Sequence, residues 1–76
     1  MERATGKAER LLQIESLLLA HPDGLTQAEI ARRIGVNRST VYRYLPDLTG
    51  VVTRTGHLEA VYNPVGWRIV TRRAPA

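Results

Sequence analysis

LTQAEIARRIGVNRSTVYRYLPDL, residues 25–48, decides how this chain is read. Thr26 stands just before an apolar-periodic run, and Glu29 follows three places later, the spacing of a capping box. The Thr26 hydroxyl is expected to accept an orphan N–H of the first turn while the Glu29 side chain reaches back to the cap residue. Leu25 and Ile30 flank that box as a hydrophobic staple. Gly35 falls where the helix must end in a left-handed residue, a conformation that glycine takes without steric cost. Asn37 then caps a second helix, with Val36 and Val41 as its staple.

Projection at the helical period separates two faces on each helix. On the second, Val41, Tyr44, Leu45 and Leu48 cluster on one side; Arg38, Ser39, Tyr42 and Arg43 gather on the other. On the first, Ile30, Ala31 and Ile34 face inward, Ala31 being small enough for a close crossing, while Glu29, Arg32 and Arg33 point away. Any amphipathic pair shows such a split. What distinguishes this pair is the conjunction of Ala31, Gly35, Val36 and Val41 with the absence of any acid from Ile30 to Pro46. Together these features imply a helix-turn-helix, whose second helix lies in the major groove of DNA.

The run AEIARRIGVNRSTVYRYL resembles the helix-turn-helix of bacterial transcription regulators. The longer segment KAERLLQIESLLLAHPDGLTQAEIARRIGVNRSTVYRYLPDL is similar to the first three helices of one group of them. That group is the N-terminal winged-helix domain of regulators with a C-terminal ligand-sensing WYL domain. The resemblance implies sequence-specific DNA binding in transcriptional control, with recognition positions at Asn37, Arg38, Ser39, Thr40, Tyr42 and Arg43. No WYL segment is expected before Ala76, so effector sensing is not implied.

Composition points the same way. Seventy-six residues make one small domain, with little room for an enzyme cleft, so no catalytic activity and no cofactor are expected. Cysteine is absent, which excludes a disulfide framework or a zinc–thiolate site. No apolar run approaches the roughly 20 residues of a membrane span, and the polar start is unlike a signal peptide. The expected location is cytoplasmic, at the nucleoid when bound to DNA. Net charge is +4, divided as −2 over residues 1–29 (three basic, five acidic) and +6 over residues 30–76 (eight basic, two acidic). Basic groups thus concentrate on the helix pair and beyond it, as a phosphate-binding surface requires, though a solvated basic face has the same signature. All but one are arginine, the side chain suited to bidentate contacts with phosphate or guanine.

The expected class is mainly α with a small antiparallel sheet (α+β): a winged helix-turn-helix of three helices followed by a β wing. Residues 1–6 read as a flexible N-terminus, 7–71 as the domain, and 72–76 as a basic tail or linker start. A first helix runs from Lys7 to about Ala20, stopped by His21-Pro22-Asp23-Gly24. Its stripe is Leu11, Ile14 and Leu18. Leu12, Leu17 and Leu19 widen the apolar arc, through thorough burial or through contact with a second subunit or a further C-terminal domain. Pro46 should end or kink the recognition helix near Leu45. Val51–Arg54 reads as a strand, Thr55-Gly56-His57 as a turn and Leu58–Tyr62 as a strand. Asn63–Gly66 reads as a turn and Trp67–Thr71 as the last strand. Leu58, Tyr62, Trp67 and Ile69 are expected in the core.

The expected partner is double-stranded DNA. Arg38, Ser39, Tyr42 and Arg43 would read base edges. Thr26, Gln27 and the helix end they begin would touch the backbone, with Arg32 and Arg33 neutralising phosphate. Arg54, His57 and Arg68 would contact phosphate or the minor groove from the wing. Tyr42 suits stacking or a thymine methyl as well as plain exposure, and neither histidine has the company of a metal site. Two alternatives stay open: a winged-helix protein-interaction module, or the DNA-binding part of a recombinase, transposase or phage accessory protein.

Overall fold

Helix α1, Lys7–Ala20, forms where the apolar stripe predicts, burying Leu11, Ile14 and Leu18. His21 closes it: its backbone N–H donates to the Leu18 carbonyl, and its Nδ1 lies 2.8 Å from the Leu17 carbonyl oxygen. This computed structural model describes residues 6–62 and 65–72. Most of the expected flexible N-terminus, the tip of the expected turn at Asn63-Pro64, the side chain of Tyr62 and most of the tail lie outside the described residues.

Strand β1 is short, Leu25–Thr26, and runs straight into α2, Gln27–Ile34. Gly35 follows with φ 76°, the left-handed end that the sequence predicts, and α3 spans Arg38–Val51. A 3-10 turn, Val52–Arg54, leads to β2, Gly56–Tyr62, and β3, Val65–Thr71. The sheet is antiparallel with order β1-β3-β2. Three helices followed by this sheet make a winged helix-turn-helix. The core joins all three helices to the sheet through fully buried Ile14, Leu18, Ile30, Val41, Leu48 and Val52 and nearly buried Ile69. Leu58 and Trp67 pack on it half-buried, and Lys7 and Asp47 tie α1 to α3 at 2.5 Å.

Several expectations are corrected. Pro46 does not end the recognition helix, which continues through it to Val51. The carbonyl that Pro46 leaves without a helical donor is that of Tyr42, a residue 65% exposed, so water can take the bond. Beneath it Val41, Leu45, Leu48 and Val52 form one continuous buried stripe, which holds the helix together across the proline. The same stripe explains why Val51–Arg54 is not a strand. Val52 keeps the helical period into the core, and this packing overrides its β-branched preference.

Gly56 is likewise no turn residue but the first of β2, paired with Thr71, and His57 pairs with Val70. A Cβ at Gly56 would stand 1.9 Å from the Val70 carbonyl oxygen, so the glycine is there for a close strand approach. Val65 and Gly66 belong to β3, which starts earlier than predicted. Arg72 is not loose tail: its backbone N–H donates to the Thr55 carbonyl and its guanidinium to the carbonyls of Thr53 and Arg54. Strand β1 went unpredicted because two residues carry no alternation to read.

Candidate nucleic-acid interface

Thr26 begins the site. Its hydroxyl accepts the Glu29 backbone N–H at 3.0 Å, a cap worth about 1 kcal/mol. The reciprocal half of the capping box does not form. Instead the Glu29 carboxylate accepts from Arg33 Nε at 2.6 Å and from Arg32 Nη2. The Arg33 hydrogen bond, with Arg32 beside it, holds the Glu29 carboxyl below the usual carboxylate range. This ion trio is therefore intact above that range and is lost only as the pH falls through the lowered value. Nor does Asn37 cap α3 with its side chain; its backbone carbonyl takes the N–H groups of Thr40 and Val41 at 3.0 and 3.2 Å. The Asn37 side chain is thereby left exposed and without a capping bond.

Helix α3 divides as its sequence predicts. Val41, Leu45 and Leu48 are buried, whereas Arg38, Ser39, Tyr42 and Arg43 are exposed and Thr40 lies between. Arg43 Nη2 donates to Thr40 Oγ1 at 3.4 Å. Among the described residues no carboxylate pairs with Arg38 or Arg43, whereas Arg32, Arg33 and Arg68 are all engaged by acids. The charges of Arg38 and Arg43 thus have no acidic partner among the described residues.

Two recesses border this face. One is lined by Thr26, Gln27, Ala28, Arg38 and Val65, so it brings the start of α2, the start of α3 and the hairpin end of β3 together. The other is lined by Tyr42, Leu45, Pro46, Thr49, Leu58 and Trp67, between α3 and the sheet. The Gln27 carboxamide links the two groups: its Nε2 donates to the Arg38 carbonyl at 3.3 Å, and its Oε1 accepts from Trp67 Nε1 at 3.4 Å.

The remaining predicted positions are scattered. Arg33 lines a groove with Glu9, Leu12, Gln13, Ser16, Leu17, Ala20 and Ile34, a set drawn from α1 and α2 with nothing from α3. Arg68 pairs across the hairpin with Glu59 at 2.6 Å. Arg54 lies in the 3-10 turn and His57 near the start of β2, at the end of the β2–β3 ladder opposite the hairpin connection. Neither stands in a wing turn, as the sequence suggested.

Sequence reasoning missed several polar arrangements, three of them close to the helix pair or the core. The Glu29–Arg33 pair was readable from its i,i+4 spacing. The Gln27–Trp67 bond and the buried Glu15, which accepts the Thr55 hydroxyl at 2.9 Å, were not, because each joins residues 40 apart in the chain.

Among the described residues, no helix is long and apolar enough to cross a membrane. The IclR helix-turn-helix domain matches residues 7–51, all three helices of this structure. An uncharacterized HTH-type transcriptional regulator of Mycobacterium bovis is 49% identical over 45 residues, covering 57% of this chain and 24% of the relative. An HTH-type transcriptional regulator of Mycobacterium tuberculosis is 47% identical over 49 residues, covering 62% of this chain and 19% of the relative. The chain thus spans a quarter or less of the length of these curated relatives. No solved structure matches. The bacterial helix-turn-helix resemblance stands, while the finer likeness to WYL-domain regulators is not carried by this match. With its three helices in the matched segment and its exposed basic third helix, the chain belongs to the IclR helix-turn-helix domain family.

Proposed function

We propose that this chain binds double-stranded DNA sequence-specifically, with α3 in the major groove, as the DNA-binding part of a bacterial transcription regulator acting at the nucleoid. The observation that carries this is the exposed face of the first half of α3, residues 38–43, which holds no acid and where Arg38 and Arg43 have no carboxylate partner among the described residues. The names of the two mycobacterial relatives support the regulatory role. Arg38 and Arg43 read base edges bidentately, Ser39 and Asn37 hydrogen-bond beside them, and Tyr42 meets a base or a thymine methyl. Thr40 orients Arg43.

Backbone phosphate sits at the start of α2, against the main-chain N–H groups that follow Thr26 and Gln27, where the helix dipole favours an anion. Arg32, Arg33 and Arg68 reach phosphate only by exchanging their carboxylate partners, so each contributes less than Arg38 or Arg43. Arg54 and His57 lie too far from the hairpin connection to serve the wing tip; they contact a duplex only if it extends along the base of the sheet. Titration of a random-sequence duplex in rising salt tests the electrostatic part. We expect log affinity to fall linearly with log salt, at a slope of about −0.9 per phosphate neutralised. Affinity independent of salt would favour a protein-interaction module instead.

A specific observation also favours a second contact through α1. Leu12 is 51% exposed and Leu19 40%, two turns apart on one face, with Ser16 between them. The expected thorough burial of this arc is not what the structure shows. The groove beside them carries an acid, Glu9, and a base, Arg33, so a second copy placed on a twofold axis meets it with complementary charge. Such a pair presents two recognition helices to two half-sites. Sedimentation equilibrium should show a dimer that Leu12→Ser with Leu19→Ser converts to monomer; a monomeric wild-type chain at high concentration would refute this contact.

A further inference from the structure

The hydrogen bonds of Gln27 place its side chain between two parts that must approach DNA together. Strand β3 holds Trp67, whose indole N–H donates to Gln27 Oε1 at 3.4 Å. Helix α3 begins at Arg38, whose carbonyl accepts Gln27 Nε2 at 3.3 Å. One carboxamide therefore joins the wing to the first turn of the recognition helix. The backbone beneath it is already clamped. Thr26 pairs with Gly66 and Leu25 with Trp67, and a Cβ at Gly66 would stand 2.3 Å from the Leu25 carbonyl oxygen. Gly24, at φ 94°, also lies close to the sheet: a Cβ there would meet the Trp67 carbonyl oxygen at 2.9 Å. These contacts fix where β3 crosses the start of α2. They do not fix how α3 sits against that junction.

We infer that Gln27 is a positioning residue for DNA recognition: its carboxamide sets the angle between wing and recognition helix, and so tunes base preference through Arg38. This rests on the DNA-binding function proposed above. Because Oε1 accepts and Nε2 donates, the link needs both ends of an amide. A carboxylate lacks the donor, and a thioether of similar length lacks the donor and accepts only weakly. The bonds are long and partly exposed, so they act on geometry more than on stability.

The test uses the whole chain and the duplex it enriches from a random pool. Gln27→Met should lower the ratio of cognate to scrambled-duplex affinity by about three- to tenfold, the scale of one or two hydrogen bonds. Trp67→Phe should produce a similar loss, and the double variant no further one, because both changes cut the same link. Trp67 is the chain's one tryptophan, so its indole N–H proton resonance reports the bond directly. That resonance should move in the free Gln27→Met protein, a readout that also serves if Trp67→Phe fails to fold.

Equal losses on cognate and scrambled duplexes with a shallower salt slope would mean direct phosphate contact by the side chain and would overturn the inference. So would additive losses, or an unmoved indole resonance. If the wild-type chain enriches no duplex, DNA binding itself fails and this role falls with it. If the wild-type chain enriches a site and Arg38→Ala loses it while Gln27→Met does not, only the positioning role fails.

Discussion

Arg38→Ala should weaken binding to the preferred duplex by roughly 1–3 kcal/mol, about five- to 150-fold, and flatten the preference at one base pair; Arg43→Ala should do the same at a neighbouring one. Both guanidiniums are exposed and free of carboxylates among the described residues, and only one long bond, from Arg43 to Thr40 Oγ1, engages either, so most of their donors remain for the groove. Arg33→Ala supplies the contrast. Its guanidinium is already committed to Glu29 at 2.6 Å and lines the groove against α1, so its loss should cost far less. Competition gel shifts with single-base variants of the duplex separate the two outcomes. Equal effects from Arg33 and Arg38 would mean that general charge, and not the face of α3, governs binding.

Leu48→Ala should cost about 2–5 kcal/mol of folding stability, through lost transfer energy and the cavity left behind. Leu48 is fully buried in the second half of α3, beyond Pro46, where the stripe from Val41 to Val52 holds the helix. A domain of this length has only about 4–11 kcal/mol in total, so a large part of its folded population is at stake. Urea unfolding followed by circular dichroism measures the shift in midpoint. A change below about 0.5 kcal/mol would mean that α3 does end near Pro46 and that Leu48 contributes little to the core. Thr49 Oγ1, donating to the Leu45 carbonyl at 2.9 Å, adds a brace across the same turn.

What was legible in the sequence is what local chemistry and helical period determine. The bounds of α1, the cap at Thr26, the left-handed Gly35 and the division of α3 into two faces all follow from residues a few positions apart. Where the prediction failed, long-range packing decided. Pro46 and the β-branched Val51–Val52 pair argue locally for a helix end and a strand, yet one buried stripe carries the helix through both. Gly56 looks like a turn glycine, and only the nearby Val70 carbonyl explains it. In the site, exposure of Arg38, Ser39, Tyr42 and Arg43 was readable from periodicity. The capture of Arg32 and Arg33 by Glu29 was readable only in part, and the cross-strand hold of Glu59 on Arg68 depends on a register that the sequence does not display. Arg54 and His57 lie at the far end of the ladder from the hairpin connection because Val51–Arg54 continues the helical path and forms no strand that would place a wing turn between them.

The proposed DNA binding stands or falls on whether the basic outer face of α3 enters the groove. Amide chemical-shift mapping of the isotope-labelled chain, titrated with its selected duplex, tests that face directly. The largest shifts should fall on Asn37–Arg43 and on the start of α2 at Gln27–Ala28, with α1 almost unmoved. Shifts concentrated instead along Leu12–Leu19, with Arg38 to Arg43 unchanged, would contradict it.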